Sequence, residues 1–334
     1  MIAAACLAAE PVVVDGSARM RERPIAEGVE MLRQLGATIE YVEEEGRLPV
    51  RVVPSENFKG GMLEVGKTQS SQFMSAVLLI SPFLKTDLNL KYPESITSES
   101  YVYMTVDLLG EWGVDIKTKC RKGTSKTIRS QHISPAQVHS YDYFVELDAS
   151  SAVYPAAAAL INPNSVTRLK RLEEDSRQPD MKCILKIKEY GELFQGCPDE
   201  IGIVGHSTLL PIKMDMRNAP DGAIMLAVVA SCAVDISHIT GLHTLRVKET
   251  DRIAALATEL RKIGCTVETT DDSLTIDPST RHNDPVIIET YNDHRMAMAF
   301  AVLGLARPGI SIQNPSCVAK SYPGFWKDFA TLYA

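Results

Sequence analysis

Ile263-Gly264-Cys265-Thr266-Val267 decides the fold: it closes a stretch of helical periodicity with a glycine and then alternates as a strand does. The same pattern, an apolar residue, glycine, two spacers and a β-branched or bulky residue, recurs at Leu35-Gly36-Ala37-Thr38-Ile39, Trp112-Gly113-Val114-Asp115-Ile116 and Tyr190-Gly191-Glu192-Leu193-Phe194. The four glycines stand 77, 78 and 73 residues apart (36 to 113, 113 to 191, 191 to 264). A glycine that ends an amphipathic run supplies the left-handed residue of a helix C-cap, so each copy reads helix, glycine stop, strand.

Between these copies lies a second kind of helix, rich in small apolar residues and opened by a polar tip. Thr68-Gln69-Ser70-Ser71-Gln72 precedes Phe73 to Ile80, and Asp148-Ala149-Ser150-Ser151 precedes Ala152 to Ile161. Pro220-Asp221-Gly222 opens Ala223 to Ala233, and Asn292-Asp293-His294-Arg295 opens Met296 to Ala306. Helices of Ala, Val, Leu and Met with almost no charge belong in an interior, with the glycine-ended helices and strands outside them. The expected class is therefore α/β (α+β), built from repeated βαββαβ units. The stretch Met1 to Ala9 reads as the small-residue helix of a further copy without its polar tip. The expectation is a chain that opens in mid-repeat, 334 residues being about four and a half repeats of about 75.

Composition narrows the function. Lys plus Arg is 35 and Asp plus Glu 42, a net charge of −7, which argues against a nucleic-acid binder relying on bulk positive charge. With 45% hydrophobic residues and no run near the roughly 18 apolar residues of a membrane span, the chain reads as folded and soluble. Its seven cysteines, Cys6, Cys120, Cys183, Cys197, Cys232, Cys265 and Cys317, are scattered and form no CxxC pair. That usage points to a reducing compartment and no bound metal. The apolar start lacks the basic region of a signal peptide, since the first basic residue is Arg19.

Buried helices whose N-termini carry polar tips present free N–H groups and positive dipole ends, which suits anions. Ser70, Ser71 and Gln72 are neutral phosphate or hydroxyl binders, whereas His294-Arg295 sets a cation at a helix start, where the dipole disfavours it unless an anion sits alongside. The run Arg246-Val247-Lys248-Glu249-Thr250-Asp251-Arg252 reads as another helix start that puts Lys248 and Glu249 on the side of Arg252. Alone it reads as a surface ion-pair helix start, and its company with Asp221 shifts that reading. Asp221, between a proline and a glycine at a buried tip, is a carboxylate placed to act as a base. Arg23 and Lys320 sit on loops, where a solvated cation and an anion ligand are both open. Gly61-Met62-Leu63-Glu64-Val65-Gly66-Lys67-Thr68 matches a phosphate-loop pattern, but no buried strand precedes it and Met62 to Val65 is itself strand-like.

These strings, in order, resemble the 5-enolpyruvylshikimate-3-phosphate synthase family, the 3-phosphoshikimate 1-carboxyvinyltransferases. They are Ser70-Ser71-Gln72-Phe73, Asp148-Ala149-Ser150-Ser151-Ala152, Pro220-Asp221, Arg246 through Arg252, Asn292-Asp293-His294-Arg295-Met296-Ala297-Met298 and Ala319-Lys320. The UDP-N-acetylglucosamine enolpyruvyl transferases share the fold and are less similar in the last strings. The resemblance implies βαββαβ units in two domains, an incomplete one at 1–143 and a C-terminal one at 144–334, with substrates between them and closure on binding. The reaction it implies moves the enolpyruvyl group of phosphoenolpyruvate onto the 5-hydroxyl of shikimate 3-phosphate and releases phosphate, with no metal or organic cofactor.

By the same resemblance Ser70 and Ser71 hold the shikimate phosphate, Gln72 touches both substrates, and Ser98 and Tyr101 line that pocket. Asp221 binds the shikimate hydroxyls and takes the 5-hydroxyl proton, assisted by Lys248. Arg23, Arg252, His294, Arg295 and Lys320 hold phosphoenolpyruvate, with Glu249 as proton carrier to its methylene carbon, so that Asp221, Glu249 and Lys320 form the catalytic set. The family also carries a lysine-serine pair and a Gly-Asn-Ala-Gly-Thr loop ahead of the segment matching Met1. Thr244 stands where an asparagine is frequent, and Glu173 to Pro198 matches weakly. From these departures the expectation is a chain weakly active or inactive alone and marginally stable, a cytoplasmic monomer (plastid if a transit peptide precedes it), derived from a free-standing or fused parent. A non-catalytic remnant that binds shikimate 3-phosphate is the other reading.

Overall fold

One element order recurs along the chain: a strand, a small-residue helix, a second strand, an amphipathic helix, and an antiparallel strand pair. The computed structural model describes residues 1–334 apart from 67, 69, 93–95, 121–127, 141, 196–199 and 334, and apart from the side chains of 188 and 333. Lys67 of the phosphate-loop match, Gln69 of the first tip and Cys197 therefore lie outside the described residues. The chain divides into two compact units, Met1–Tyr143 and Phe144–Ala334, each with its own hydrophobic core.

In the first unit, α1 (Ile2–Ala5), β1 (Val12–Val14), α2 (Ala18–Glu22), α3 (Ala26–Gln34), β2 (Thr38–Tyr41) and β3 (Val50–Val53) make the first copy. β4 (Gly61–Glu64), α4 (Gln72–Ile80), β5 (Leu88–Lys91), α5 (Glu99–Glu111), β6 (Ile116–Cys120) and β7 (Ile128–Ile133) make the second. In the second unit, α6 (Ala149–Ile161), β8 (Val166–Lys170), α7 (Met181–Lys186), β9 (Gly191–Gln195) and β10 (Glu200–Gly205) are followed by β11 (Lys213–Asp215), α8 (Ala223–Ala230), β12 (Ser237–Thr240), α9 (Arg252–Lys262), β13 (Thr266–Thr269) and β14 (Ser273–Asp277). A last partial copy is β15 (Val286–Ile288), α10 (His294–Ala306) and β16 (Ile310–Ile312), after which comes α11 (Phe325–Ala330).

The two complete copies build the same sheet. Its orders, β4-β5-β7-β6 and β11-β12-β14-β13, join the first pair parallel and the other two pairs antiparallel. The α/β class and the repeat stand, but the order within a unit is βαβαββ and not βαββαβ. The cause is the parallel pair: parallel neighbours need a crossover, so one helix lies between them, and the two strands left over pair as a hairpin after the second helix. In the third copy the leading strand is reduced to single bonds, Leu147 N–H to the Arg171 carbonyl and Arg171 Nη2 to the Val145 carbonyl.

Gly36, Gly113 and Gly264 end α3, α5 and α9 at φ of 94°, 87° and 90°, the left-handed stop expected of them. Gly191 does not. It opens β9, and a Cβ there would lie 2.6 Å from the Val204 carbonyl oxygen, so this glycine permits a close strand approach and makes no cap.

In the second unit α6, α8 and α10 pack on one another, and every residue of α8 is at most 6% exposed, as its uniformly apolar sequence requires. α4 departs from the expected interior position, since its Leu79 is 48% exposed. It packs on α1, α3 and α5 and leaves one side open. Among the described residues no helix is long and apolar enough to cross a membrane.

Candidate active site

In the second unit the polar starts of α8, α9 and α10 converge. Asp221 lies in a one-turn 3₁₀ segment, Pro220–Gly222, that leads into α8. Its Oδ1 accepts Arg252 Nη1 at 3.1 Å and faces Lys248 Nζ at 3.7 Å, and its Oδ2 accepts Arg295 Nη2 at 3.2 Å. Burial raises the Asp221 carboxyl, but Arg295, Lys248 and Arg252 together outweigh it and hold the group well below the usual carboxylate range.

Arg252, the first residue of α9, is 1% exposed. Its Nε donates to Asp293 Oδ2 at 2.7 Å, and its Nη2 to Glu249 Oε2 at 2.8 Å. A guanidinium fits this place because its donors fan out in one plane to three carboxylates at once. Glu249 Oε1 accepts Lys320 Nζ. Burial opposes ionisation of Glu249, yet Arg252 and Lys320 prevail and bring its carboxyl down to about 2.

The helix expected to begin within Arg246 to Arg252 starts only at Arg252, capped by Asp251 through the Ala254 N–H at 3.1 Å. Lys248 and Glu249 therefore reach the cluster from the loop ahead of α9, not by helical spacing. Asp293, fully buried, caps α10 by accepting the Arg295 N–H at 2.8 Å. It is delivered by two successive left-handed residues, Tyr291 and Asn292, both at φ 54°. That loop is tied to α9: buried Glu259 accepts the Glu289 N–H at 3.1 Å and the Tyr291 hydroxyl at 2.8 Å.

His294 is the first residue of α10. Burial, ahead of every charge around it, lowers its imidazole to about 4, so at neutral pH it is no cation, and its Nδ1 has no hydrogen-bond partner among the described residues. Its 3.8 Å approach to Asp293 Oδ1 is an ion pair only in the protonated form. The cation at the start of α10 is Arg295 alone, and Asp221 together with the Asp293 cap answers it.

The first unit holds the other expected residues. Ser70, Ser71 and Gln72 stand at the start of α4, where Ser70 Oγ accepts the Gln72 N–H at 3.2 Å and Ser71 is 3% exposed. Ser98, left-handed at φ 49°, precedes α5, which carries Tyr101. The two helix starts are side by side: Thr97 Oγ1 donates to the Thr68 carbonyl at 2.6 Å, and further along Thr105 Oγ1 donates to Ser75 Oγ at 2.9 Å. Arg23 follows α2 and reaches Met20 Sδ only at 4.0 Å. Gly61–Glu64 forms β4, so the phosphate-loop match falls on a strand.

Two neighbours of the cluster, Asp180 and Tyr154, escaped the sequence reading. Asp180 is buried behind Asp221, Ser150 bonds to it, and the buried Tyr154 hydroxyl faces the Arg295 guanidinium. The pair Pro179-Asp180 repeats the Pro220-Asp221 dipeptide, a signal hidden in the stretch that matched the family weakly.

The sequence profile of the family described as EPSP synthase (3-phosphoshikimate 1-carboxyvinyltransferase) matches residues 1–329. The 3-phosphoshikimate 1-carboxyvinyltransferase of Shewanella halifaxensis is 35% identical over 332 residues, 99% of this chain and 76% of the relative. That of Shewanella woodyi is 36% identical over 334 residues, with the same coverage of 99% and 76%. The EPSP synthase structure from Acinetobacter baumannii superposes with a TM-score of 0.77 at 26% identity, over 99% of this chain and 75% of that one. The enolpyruvyl transferase NikO from Streptomyces tendae, at 17% identity and a TM-score of 0.74 over 100% and 75%, shares the fold. The chain belongs to the 3-phosphoshikimate 1-carboxyvinyltransferase family: it is a transferase of the shikimate pathway that acts with phosphoenolpyruvate.

Proposed function

We propose, with that family membership as premise, that this chain transfers the enolpyruvyl group with Asp221 as base, Glu249 and Lys320 as proton carriers, and Arg252 and Arg295 as phosphoenolpyruvate ligands. Lys248 assists Asp221. Ser70, Ser71, Gln72, Ser98 and Tyr101 hold shikimate 3-phosphate, and Arg23 and His294 complete the phosphoenolpyruvate set, His294 as a neutral hydrogen-bonding group. The observation that carries the reading is Asp221 in reach of Arg252, Lys248 and Arg295 at once.

Without substrate, those cations make Asp221 a weak base. An incoming phosphate and carboxylate compete for the same guanidinium and ammonium groups and add negative charge, and both effects raise the proton affinity of Asp221 and Glu249. Asp221 then takes the proton of the 5-hydroxyl as that oxygen adds to the enol carbon, and the methylene carbon takes a proton from the Glu249–Lys320 pair. Loss of phosphate from the tetrahedral adduct, with return of a proton from the new methyl group, leaves the enol ether. The setting is reducing and cytoplasmic, a reading supported by the scattered cysteines, and the protein acts as a monomer.

The test is phosphate release by the purified chain given phosphoenolpyruvate, with and without shikimate 3-phosphate. Release that depends on shikimate 3-phosphate is expected, weak in keeping with the departures from the family set out in the sequence. A folded chain that releases none overturns the assignment.

A further inference from the structure

Asp180 is 1% exposed, and three elements meet at its carboxyl. It precedes α7, its Oδ1 accepts the Gly222 N–H of the turn carrying Asp221 at 3.3 Å, and its Oδ2 accepts the Ser150 hydroxyl at the start of α6. The approach needs the glycine: a Cβ at Gly222 would lie 2.5 Å from Cys183 Sγ and 3.5 Å from Asp180 Oδ1. Neither bond is required to cap α6, since Asp148 already accepts the Ser150 N–H at 3.0 Å. A buried carboxyl so placed answers no local need of its own helix.

We propose that Asp180 is a positioning residue for the transfer reaction: it pins the Pro220–Gly222 turn and sets a second carboxyl behind Asp221 that opposes the surrounding cations. The inference rests on Asp221 being the base. The groups facing Asp180 are Asp221 on the turn, Arg295 on α10, Ser150 on α6 and Cys183 on α7. Burial first and Asp221 second push the Asp180 carboxyl up to about 6, against Arg295 and the two hydrogen bonds. Two neighbouring carboxyls driven in opposite directions form a coupled pair, so a proton taken by Asp221 relieves Asp180 and is stabilised in return.

The first experiment needs no turnover and so stands apart from the assignment of the reaction. In the full chain labelled with ¹³C at the aspartate carboxyls, one signal should titrate near 6, vanish in Asp180→Asn, and move to lower pH in Asp221→Asn. A signal in the ordinary aspartate range, or one that Asp221→Asn leaves in place, overturns the proposal. The second experiment is the pH profile of turnover. Asp180→Asn should lower kcat about tenfold, leave KM for shikimate 3-phosphate within about twofold, and shift the acid limb to lower pH, since a negative charge beside the base is gone. Parallel loss of thermal stability with an unmoved limb would mean a structural role only and overturn it. Should Asp180→Asn not fold, Ser150→Ala keeps the charge and removes one bond to it, so the titration should rise; an unmoved midpoint overturns the proposal equally.

Discussion

The start of α4 and the start of α10 are polar in opposite ways. At α4 the side chains are neutral, Ser70, Ser71 and Gln72, and what they add to the helix N-terminus is hydroxyl and amide hydrogen bonding. At α10 the cation Arg295 would work against the dipole, so the fold answers it with Asp293 as cap and Asp221 as ion-pair partner. The neutral start offers hydroxyls and an amide, whereas the charged one is held in shape by carboxylates that, on the proposed reading, a substrate anion displaces. A pre-paired site is rigid before it binds, and any break in its pairing is felt as stability as well as rate.

Arg252→Met should break this contrast most severely. It strands Asp293, Asp221 and Glu249 without their shared guanidinium, and removal of one partner of a buried pair costs about 3–5 kcal/mol. Urea unfolding should show that loss in the second unit together with loss of turnover; a stability change below about 1 kcal/mol would refute the shared-anchor reading. Asp221→Asn keeps the shape and removes the base, so turnover should fall roughly 10²- to 10⁴-fold while the chain stays folded by circular dichroism.

Ser71→Ala tests the neutral side. Loss of one hydrogen bond to a charged phosphate, about 1.5 kcal/mol at the low end, should raise KM for shikimate 3-phosphate about tenfold with stability nearly unchanged. Equal losses of stability from Ser71→Ala and Arg252→Met would erase the distinction between the two helix starts.

The smallest effect is in acid. Glu249 has a folded carboxyl at about 2 against an ordinary 4.5, so its stabilising contribution is fully present above about 4.5 and is lost as pH falls toward about 2. Glu249→Gln should flatten the acid-unfolding curve across that window and lower stability at neutral pH, where the carboxylate's contribution is fully present, so that variant and parent converge only in acid.

The repeat was readable because glycine stops and small-residue helices are local signals with fixed chemistry. Gly36, Gly113 and Gly264 announced themselves as caps, whereas Gly191 wears the same pattern for a different purpose, a close approach to β10 that depends on residues across the sheet. The order of strands within a unit was misread because parallel pairing of β11 with β12 leaves no mark in either short strand. The charged site was visible as far as side chains lie in runs: Lys248, Glu249, Arg252 and Arg295. Asp180 and Tyr154 were not, because their importance comes from what packs beside them.

Cys183 sits against the turn that carries Asp221, 3% exposed and with its thiol raised well above its ordinary value by burial. A thiolate there can react with an alkylating reagent only while the turn is lifted away. Each modified molecule therefore records one opening of the catalytic turn, and mass spectrometry of the peptide over time turns the residue into a stopwatch for motions too rare to alter any average structure.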